Sequence, residues 1–398
     1  MSRLARLIAA IVLAVSASAA AAQGVEVTSL AAPDAFTTPG RDTGLPPTLW
    51  RGASVKTART VLPMLAARPL SPAAAGLARR VLATGAPGPQ DAGTDAGLLG
   101  ARASALIAQG DAKAAAAILV RAPGVDRNPE LAHAAAESAL LAGDDARACA
   151  VAQGLSSSRD EIYWLRLRAY CQAISGQPGQ AQLTFELSQA QAKDAIFGRL
   201  MTAKLAGAGN PGAASLRNGL DYALSRSLGL DLAVAKPSPD VAAALAGADP
   251  AVSAIEASAV SADFADVARA IRAGQPISDG MFMGLAAASG AKGPARTQAA
   301  ILLTFALSDL SSVAARDQLG TFTAPEGRAP LGRNLALEEA SHQKLMGEVA
   351  LLALWTCAEA GPGGLALGDR IRIVHALHAV HLDVDARDFA LEGLLALK

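Results

Sequence analysis

The sequence predicts an all-α protein in which helical hairpins stack along the chain, and three observations carry that prediction. Four glycines recur 33 residues apart, at Gly110, Gly143, Gly176 and Gly209. Each stands between two stretches whose apolar residues follow the i, i+3, i+4 spacing of a helix. No stretch alternates polar and apolar residues with the period of two that a half-buried strand requires. A fixed period of this length is typical of solenoids built from helix pairs.

Each repeat carries the residues of a tight turn between two helices. Glycine can end the first helix because it adopts a positive φ without steric cost. Asp or Asn follows the glycine in three copies and Gln in the other, and Asp and Asn are good caps for the second helix. Further along the second helix an alanine recurs, which lets neighbouring helices approach closely, at Ala115, Ala148, Ala181 and Ala214.

This pattern resembles the tetratricopeptide repeat, which has a small residue at its eighth place, a turn glycine near the fifteenth and an alanine at the twentieth. With copies starting at Ala96, Pro129, Ile162 and Ala195, the eighth places are Ala103, Ala136, Ala169 and Thr202. The resemblance covers residues 96–227. The chain departs from the family in its period of 33, in lacking the closing proline, and in having a tryptophan near the start of only one copy, Trp164. The resemblance implies a right-handed superhelix of antiparallel hairpins.

The N-terminus predicts export from the cytoplasm. Arg3 and Arg6 precede a short apolar run and a Ser/Ala segment that ends in an Ala-x-Ala cleavage site after Ala22. The apolar run is shorter than the roughly 20 residues that span a bilayer. We therefore predict a cleavable signal peptide over 1–22 rather than an uncleaved anchor. The Ala-, Gly- and Arg-rich composition resembles that of GC-rich bacteria, so the predicted compartment is the periplasm.

The remaining elements follow in chain order. Prolines among polar residues predict an extended arm over 23–50, and a helical-hairpin domain is predicted over 51–228. Lys236-Pro-Ser-Pro239 interrupts the helical pattern and predicts a linker over 229–250. A C-terminal helical domain over 251–398 either continues the superhelix with degenerate hairpins or closes it as a cap. Its predicted helices are 261–273, 278–288, 294–310, 334–360, 368–382 and 386–397.

Composition and motifs argue against nucleic-acid binding and catalysis. Lys and Arg together number 35 and Asp and Glu together number 35, so the chain has no net positive charge that would favour binding to a polyanion. The chain lacks G-x-S-x-G, the phosphate-binding G-x-x-x-x-G-K-[ST] and H-E-x-x-H. Soluble lytic transglycosylases combine a periplasmic superhelix with a catalytic Glu-Ser pair. Here Glu137-Ser138 lies inside a repeat helix without the glycine-rich continuation. We expect a protein that is not an enzyme and needs no cofactor.

His375, His378 and His381 form an H-x-x-H-x-x-H run on one predicted helix. Neighbours at i, i+3 share a face, so two of them could touch one metal ion. The outer pair differs by about 120° around the helix axis at 3.6 residues per turn, so one helix does not easily direct all three at one ion. The interpretation preferred here is a histidine cluster near a helix C-terminus, where the dipole favours positive charge.

Three cysteines allow at most one intrachain disulfide. Cys149 is predicted in the second helix of one repeat and Cys171 in the first helix of the next. Those helices are neighbours in stacked hairpins, so a bridge is geometrically feasible. Two small buried apolar side chains are the alternative. An odd count leaves at least one thiol, such as Cys357, free or intermolecular.

The candidate binding site comes from the resemblance. In tetratricopeptide arrays the second, fifth and ninth places of each repeat line a concave groove that binds peptides. Tyr and Arg are favoured interface anchors, and they gather in the third copy; the alternative is that the tyrosines pack against the next hairpin. The places carried onto this chain are Glu130, His133 and Glu137, then Tyr163, Arg166 and Tyr170, then Arg199, with Gly97, Gly100 and Ser104 in the first copy.

The expected function is that of a non-catalytic periplasmic scaffold or adaptor that binds an envelope protein or peptide. Arg166 is expected to face the groove without a paired acid. A second hypothesis is a glycan- or peptidoglycan-binding accessory protein, which would stack sugars on exposed tryptophan. Trp50 is the one tryptophan outside the predicted core helices.

Overall fold

The described part of the chain is helical and forms no β-strand. A computed structural model describes residues 34–207, 210–246, 260–287, 294–308, 317, 319–320, 322, 327–361 and 364–397. The predicted signal peptide with its cleavage site after Ala22, the arm up to residue 33, and Gly209 lie outside the described residues. Within these ranges, no helix is long and apolar enough to cross a membrane.

The helices in chain order are α1 (Val55–Ala67), α2 (Pro72–Ala83), α3 (Ala96–Ala108), α4 (Ala112–Leu119), α5 (Pro129–Ala142), α6 (Asp145–Gly154), α7 (Ile162–Ile174), α8 (Pro178–Gln191) and α9 (Ala195–Ala206). They continue with α10 (Gly219–Ser227), α11 (Pro239–Ala246), α12 (Ala265–Arg272), α13 (Asp279–Ala287) and α14 (Pro294–Phe305). The last four are α15 (Leu331–His342), α16 (Met346–Ala360), α17 (Leu367–Ala379) and α18 (Asp383–Ala396).

The three described glycines of the 33-residue period stand in the predicted turns. Gly110, Gly143 and Gly176 separate α3 from α4, α5 from α6 and α7 from α8, with φ of 88°, 84° and 72°. Asp111 and Asp144 cap the second helices, since their carboxylates accept the backbone N–H groups three residues on. The hairpin turns are therefore confirmed for these three copies.

The hairpins stack through small and aromatic core residues. α3 packs against α1 and α5, and α7 packs against α6 and α8. The eighth-place residues Ala103, Ala136 and Ala169 are fully buried, which permits this close approach. Trp164 fills the interior of the third copy and Phe197 that of the fourth. This all-α packing is compatible with an α-solenoid.

The fourth copy does not close a hairpin. Asn210 caps no helix; its side chain accepts the N–H of Gly212 at 2.8 Å. The next helix, α10, starts at Gly219 and packs against α5 as well as α9. α11, which lies within the predicted linker 229–250, packs against α3 and α5. Residues 210–246, called the strap below, therefore run back across the first helices of earlier hairpins.

The C-terminal helices pack against the start of the array. α16 packs against α1 and α2, and α18 packs against α2. The predicted helix 334–360 is two helices, α15 and α16, because the chain turns at Lys344, whose φ is 58°. The Glu348 carboxylate of α16 accepts the N–H of Ser54 at 2.7 Å and the hydroxyl of Thr57 at 2.9 Å. These helices thus cover the first hairpin instead of extending the array beyond its fourth copy.

The described part of the predicted extended arm is folded onto this core by Arg102. The Arg102 side chain is fully buried and donates to the carbonyls of Leu82, Ala35, Thr38 and Thr84. Burial lowers its pKa to about 9. Four carbonyl acceptors in place of a carboxylate satisfy the guanidinium, and they fix the arm beside the end of α2.

Candidate functional site

Glu137 joins the strap to the first helices. Its carboxylate accepts the Tyr163 hydroxyl at 2.8 Å and the backbone N–H of Gly219 at 2.8 Å. Gly219 is the first residue of α10, so the carboxylate also faces the positive end of that helix dipole. A Cβ at Gly219 would lie 2.5 Å from the Glu137 carboxylate, which explains why glycine stands there. Glu137 therefore holds the strap, and it lines a cavity of about 350 Å³ on the strap side.

Arg166 is paired with an acid, contrary to the sequence-based expectation. Its guanidinium lies 3.3 Å from the Asp194 carboxylate, donates to the carbonyl of Ala192 at 3.0 Å, and lies 5.5 Å from the centre of the Phe197 ring. Burial alone would raise the pKa of Asp194, but backbone hydrogen bonding and the neighbouring arginines, including Arg217 of the strap, hold it below its usual range. Arg166 thus bonds α7 to the segment between α8 and α9.

Tyr170 and Arg199 also hold the strap. The Tyr170 side chain is fully buried, and its hydroxyl lies 3.5 Å from the carbonyl of Ala223 in α10. Burial raises the pKa of this phenol. Arg199 donates to the carbonyl of Ala213 at 2.9 Å. The packing alternative left open for Tyr170 therefore describes it better than a groove position, although it packs against the strap and not against a following hairpin.

The rest of the predicted groove is open, and we call it the open cleft. Its largest part has a volume of about 860 Å³ and is lined from α3, α5 and α7 by residues that include Ser104, Glu130, His133 and Tyr163. Two cavities of about 360 and 350 Å³ share lining residues with it and extend it along α1 and toward the strap. The full set that lines the largest part is Ser104, Arg127, Asn128, Pro129, Glu130, His133, Glu161, Tyr163 and Trp164.

Three aromatic rings form one wall of the open cleft. The ring centres of His133 and Tyr163 are 4.2 Å apart, and those of Tyr163 and Trp164 are 4.9 Å apart in an edge-to-face arrangement. Trp164 is the buried member of this wall, while His133 is exposed. Burial, then the charge and hydrogen bond of Glu137, raise the pKa of Tyr163 well above its ordinary value. The phenol is therefore neutral and fixed by Glu137, so the wall is ordered before a ligand arrives.

Two exposed carboxylates stand at the rim of the open cleft. The side chains of Glu130 and Glu161 make no hydrogen bond or ion pair with any described residue. The one basic side chain of the rim, Arg127, lies 3.8 Å from the carboxylate of Asp126. The rim therefore carries net negative charge, in a chain with none overall.

Sequence reasoning missed five lining residues, which are Arg127, Asn128, Pro129, Glu161 and Trp164. Asn128 is the N-cap of α5, where its side chain accepts the N–H of Leu131 at 3.0 Å, and Glu161 is the N-cap of α7. The first helices of the repeats line the open cleft. A residue directly before such a helix therefore lies at the edge of the open cleft. The positions at and just before the repeat starts were therefore the signal for these residues, except for Trp164, which is the third residue of its copy.

The other residues singled out by sequence lie elsewhere. The Nδ1 atom of His378 is 2.7 Å from the Asp383 carboxylate, and burial, followed by nearby positive charge, lowers the pKa of His375. Nowhere among the described residues do three His, Cys, Asp or Glu side chains form a group that could hold a metal ion. Of the two alternatives for Cys149 and Cys171, the structure has the disulfide, which joins α6 to α7. Trp50, the residue proposed for sugar stacking, is fully buried.

No protein-family model, no curated protein sequence and no solved structure matches this chain.

Proposed function

We propose that the protein is a non-catalytic scaffold or adaptor of the bacterial periplasm, exported by its cleavable signal peptide, which binds an envelope protein or peptide. The array is then a right-handed, tetratricopeptide-like superhelix, and the open cleft is the uncovered part of its concave groove. The observation that carries the proposal is the open cleft with its ordered wall of His133, Tyr163 and Trp164. Ordered aromatic side chains bind with little loss of conformational entropy.

The form of the open cleft supports an extended ligand. Its three parts share Ser104 and together reach residues of α1, α3, α5 and α7, and a cleft that crosses four helices suits a peptide segment better than a compact metabolite. Ser104 and the amide nitrogen of Asn128 offer hydrogen bonds that suit the carbonyls of a peptide backbone. The glycan hypothesis loses its main support, since Trp50 and Trp164 are both buried.

Site-specific photo-crosslinking tests the proposal. A benzophenone amino acid replaces His133 in the wall, and a second variant carries it at Gln182, an exposed residue of α8 outside the open cleft. After irradiation of intact cells of the producing organism, the variant at position 133 should give a discrete protein adduct in the envelope fraction. The variant at position 182 should not. Equal adducts from both variants, or none from position 133, would refute the groove as the binding site.

A further inference from the structure

The rim of the open cleft carries a charge pattern that selects among peptide ligands. Glu130 lies in the first turn of α5, and Glu161 directly precedes α7. Both line the same cavity. Their carboxylates are exposed and make no ion pair within the described residues. An unpaired carboxylate at a binding surface favours a positively charged partner and disfavours a negative one.

The two arginines that line the open cleft, Arg127 and Arg217, each lie close to acids of the same chain. Arg127 faces Asp126 at 3.8 Å. Arg217, at the strap side of the open cleft, is bonded to Asp194 at 3.0 Å and to Asp221 at 2.6 Å. Neither of these two arginines is paired with Glu130 or Glu161.

The aromatic wall provides a second feature that suits a cation. The Tyr163 hydroxyl is held by Glu137 at 2.8 Å, so its ring keeps one orientation beside His133. Ring faces attract Lys and Arg side chains, and the nearby carboxylates add a separate attraction. A chain with a basic residue can thus place its charge between the rim carboxylates while its methylene groups cover the Tyr163 ring.

We infer that the open cleft binds a peptide segment that carries lysine or arginine, with Glu130 and Glu161 as the residues that select for its positive charge. This inference rests on the proposed function and adds the chemistry of the partner. Acidic segments are excluded by the same two carboxylates.

Selection from a displayed library of random dodecapeptides tests the inference without knowledge of the natural partner. The bait is the mature wild-type protein in buffer of physiological ionic strength. The site variant is the double substitution Glu130→Gln and Glu161→Gln. The matched control is Glu186→Gln with Glu339→Gln, which makes the same change in net charge at exposed residues of α8 and α15.

The wild-type protein should enrich peptides that contain lysine or arginine. By fluorescence anisotropy, the best labelled peptide should lose at least about tenfold in affinity for the site variant, which corresponds to about 1.4 kcal/mol. It should lose less than about twofold for the control, because those charges lie outside the open cleft. Circular dichroism should give the same melting temperature for all three proteins.

The two proposals fail in different ways. Enrichment of neutral or acidic peptides that bind the site variant as well as wild type would overturn the inference and leave peptide binding intact. If wild type enriches no peptide over the bare support, peptide binding in the open cleft is itself wrong.

Discussion

Removing the Glu137 carboxylate should loosen the strap. Glu137→Ala deletes two hydrogen bonds to a charged acceptor, from the Tyr163 hydroxyl and from the Gly219 N–H, both 2.8 Å long. Such bonds contribute about 1.5–3 kcal/mol each when buried. Because Glu137 is half-buried, we expect a loss of about 2–4 kcal/mol in the free energy of unfolding. Glu137→Gln keeps one acceptor oxygen and should lose about half as much.

Urea unfolding followed by circular dichroism, without reductant, measures this loss. Glu130→Ala is the matched control, since Glu130 lies on the same helix, is exposed, and makes no side-chain bond within the described residues. It should change the free energy of unfolding by less than about 0.5 kcal/mol. Limited proteolysis should cut the strap faster in Glu137→Ala than in this control. If the two variants unfold alike and the strap is cut at the same rate, Glu137 does not hold it.

A double-mutant cycle separates the Glu137–Gly219 contact from the rest. Gly219→Ala would place a Cβ 2.5 Å from the carboxylate and 3.4 Å from the Glu137 carbonyl oxygen, so the carboxylate must move away. In the Glu137→Ala background this clash is absent. The two losses should therefore sum to more than the loss in the double variant. Additive losses would contradict the close approach of Gly219 to the Glu137 carboxylate.

Three further predictions concern stability. Arg166→Ala should lower the free energy of unfolding by about 2–3 kcal/mol, because the ion pair with Asp194 is lost. Arg127→Ala, at an exposed residue, should change it little. Equal melting temperatures for the two variants would mean that Arg166 is an unpaired groove residue after all. Burial raises the pKa of Asp385 to about 6 and that of Asp388 to about 7, above the unfolded value near 3.9. In this pH range the folded state therefore binds more protons than the unfolded state. The free energy of unfolding should rise as pH falls from 8 to 5, by at most about 1.4 kcal/mol per pH unit for each of the two groups. Urea titrations at several pH values that give a flat or opposite slope would refute this. The disulfide closes a sequence separation of 22 residues, so reduction should cost about 3 kcal/mol, and the unfolded, unreduced chain should show one free thiol; three free thiols in exported protein would exclude the bridge.

Local features of the chain were readable from sequence because their causes lie within a few residues. Gly110 and Gly143 adopt a positive φ that glycine alone tolerates cheaply, and Asp111 and Asp144 bond to N–H groups three residues on. Such contacts depend on neither the rest of the chain nor its path. The turn positions, the helix pairs and the neighbourhood of the two bridged cysteines therefore followed from the period alone.

The site depended on long-range contacts, which no local pattern encodes. Repeat positions correctly brought Glu130, His133 and Tyr163 to one cleft, because equivalent places of stacked helices share a face. They did not reveal that the strap returns over α5 and occupies Glu137, Tyr170 and the neighbouring arginines.

The path of the chain after the fourth copy was decided by tertiary structure. Asn210 does not begin a helix, and the next helix, α10, starts only at Gly219. The N-terminus of α10 therefore lies at α5, where the Gly219 N–H donates to the Glu137 carboxylate. In the same way, Trp50 is buried because Gly347 of α16 packs directly against it. The sequence by itself determined the repeating unit, since its turns and caps are short-range. Which faces stay open was set by long-range packing, because burial of a face depends on what distant segment returns to cover it.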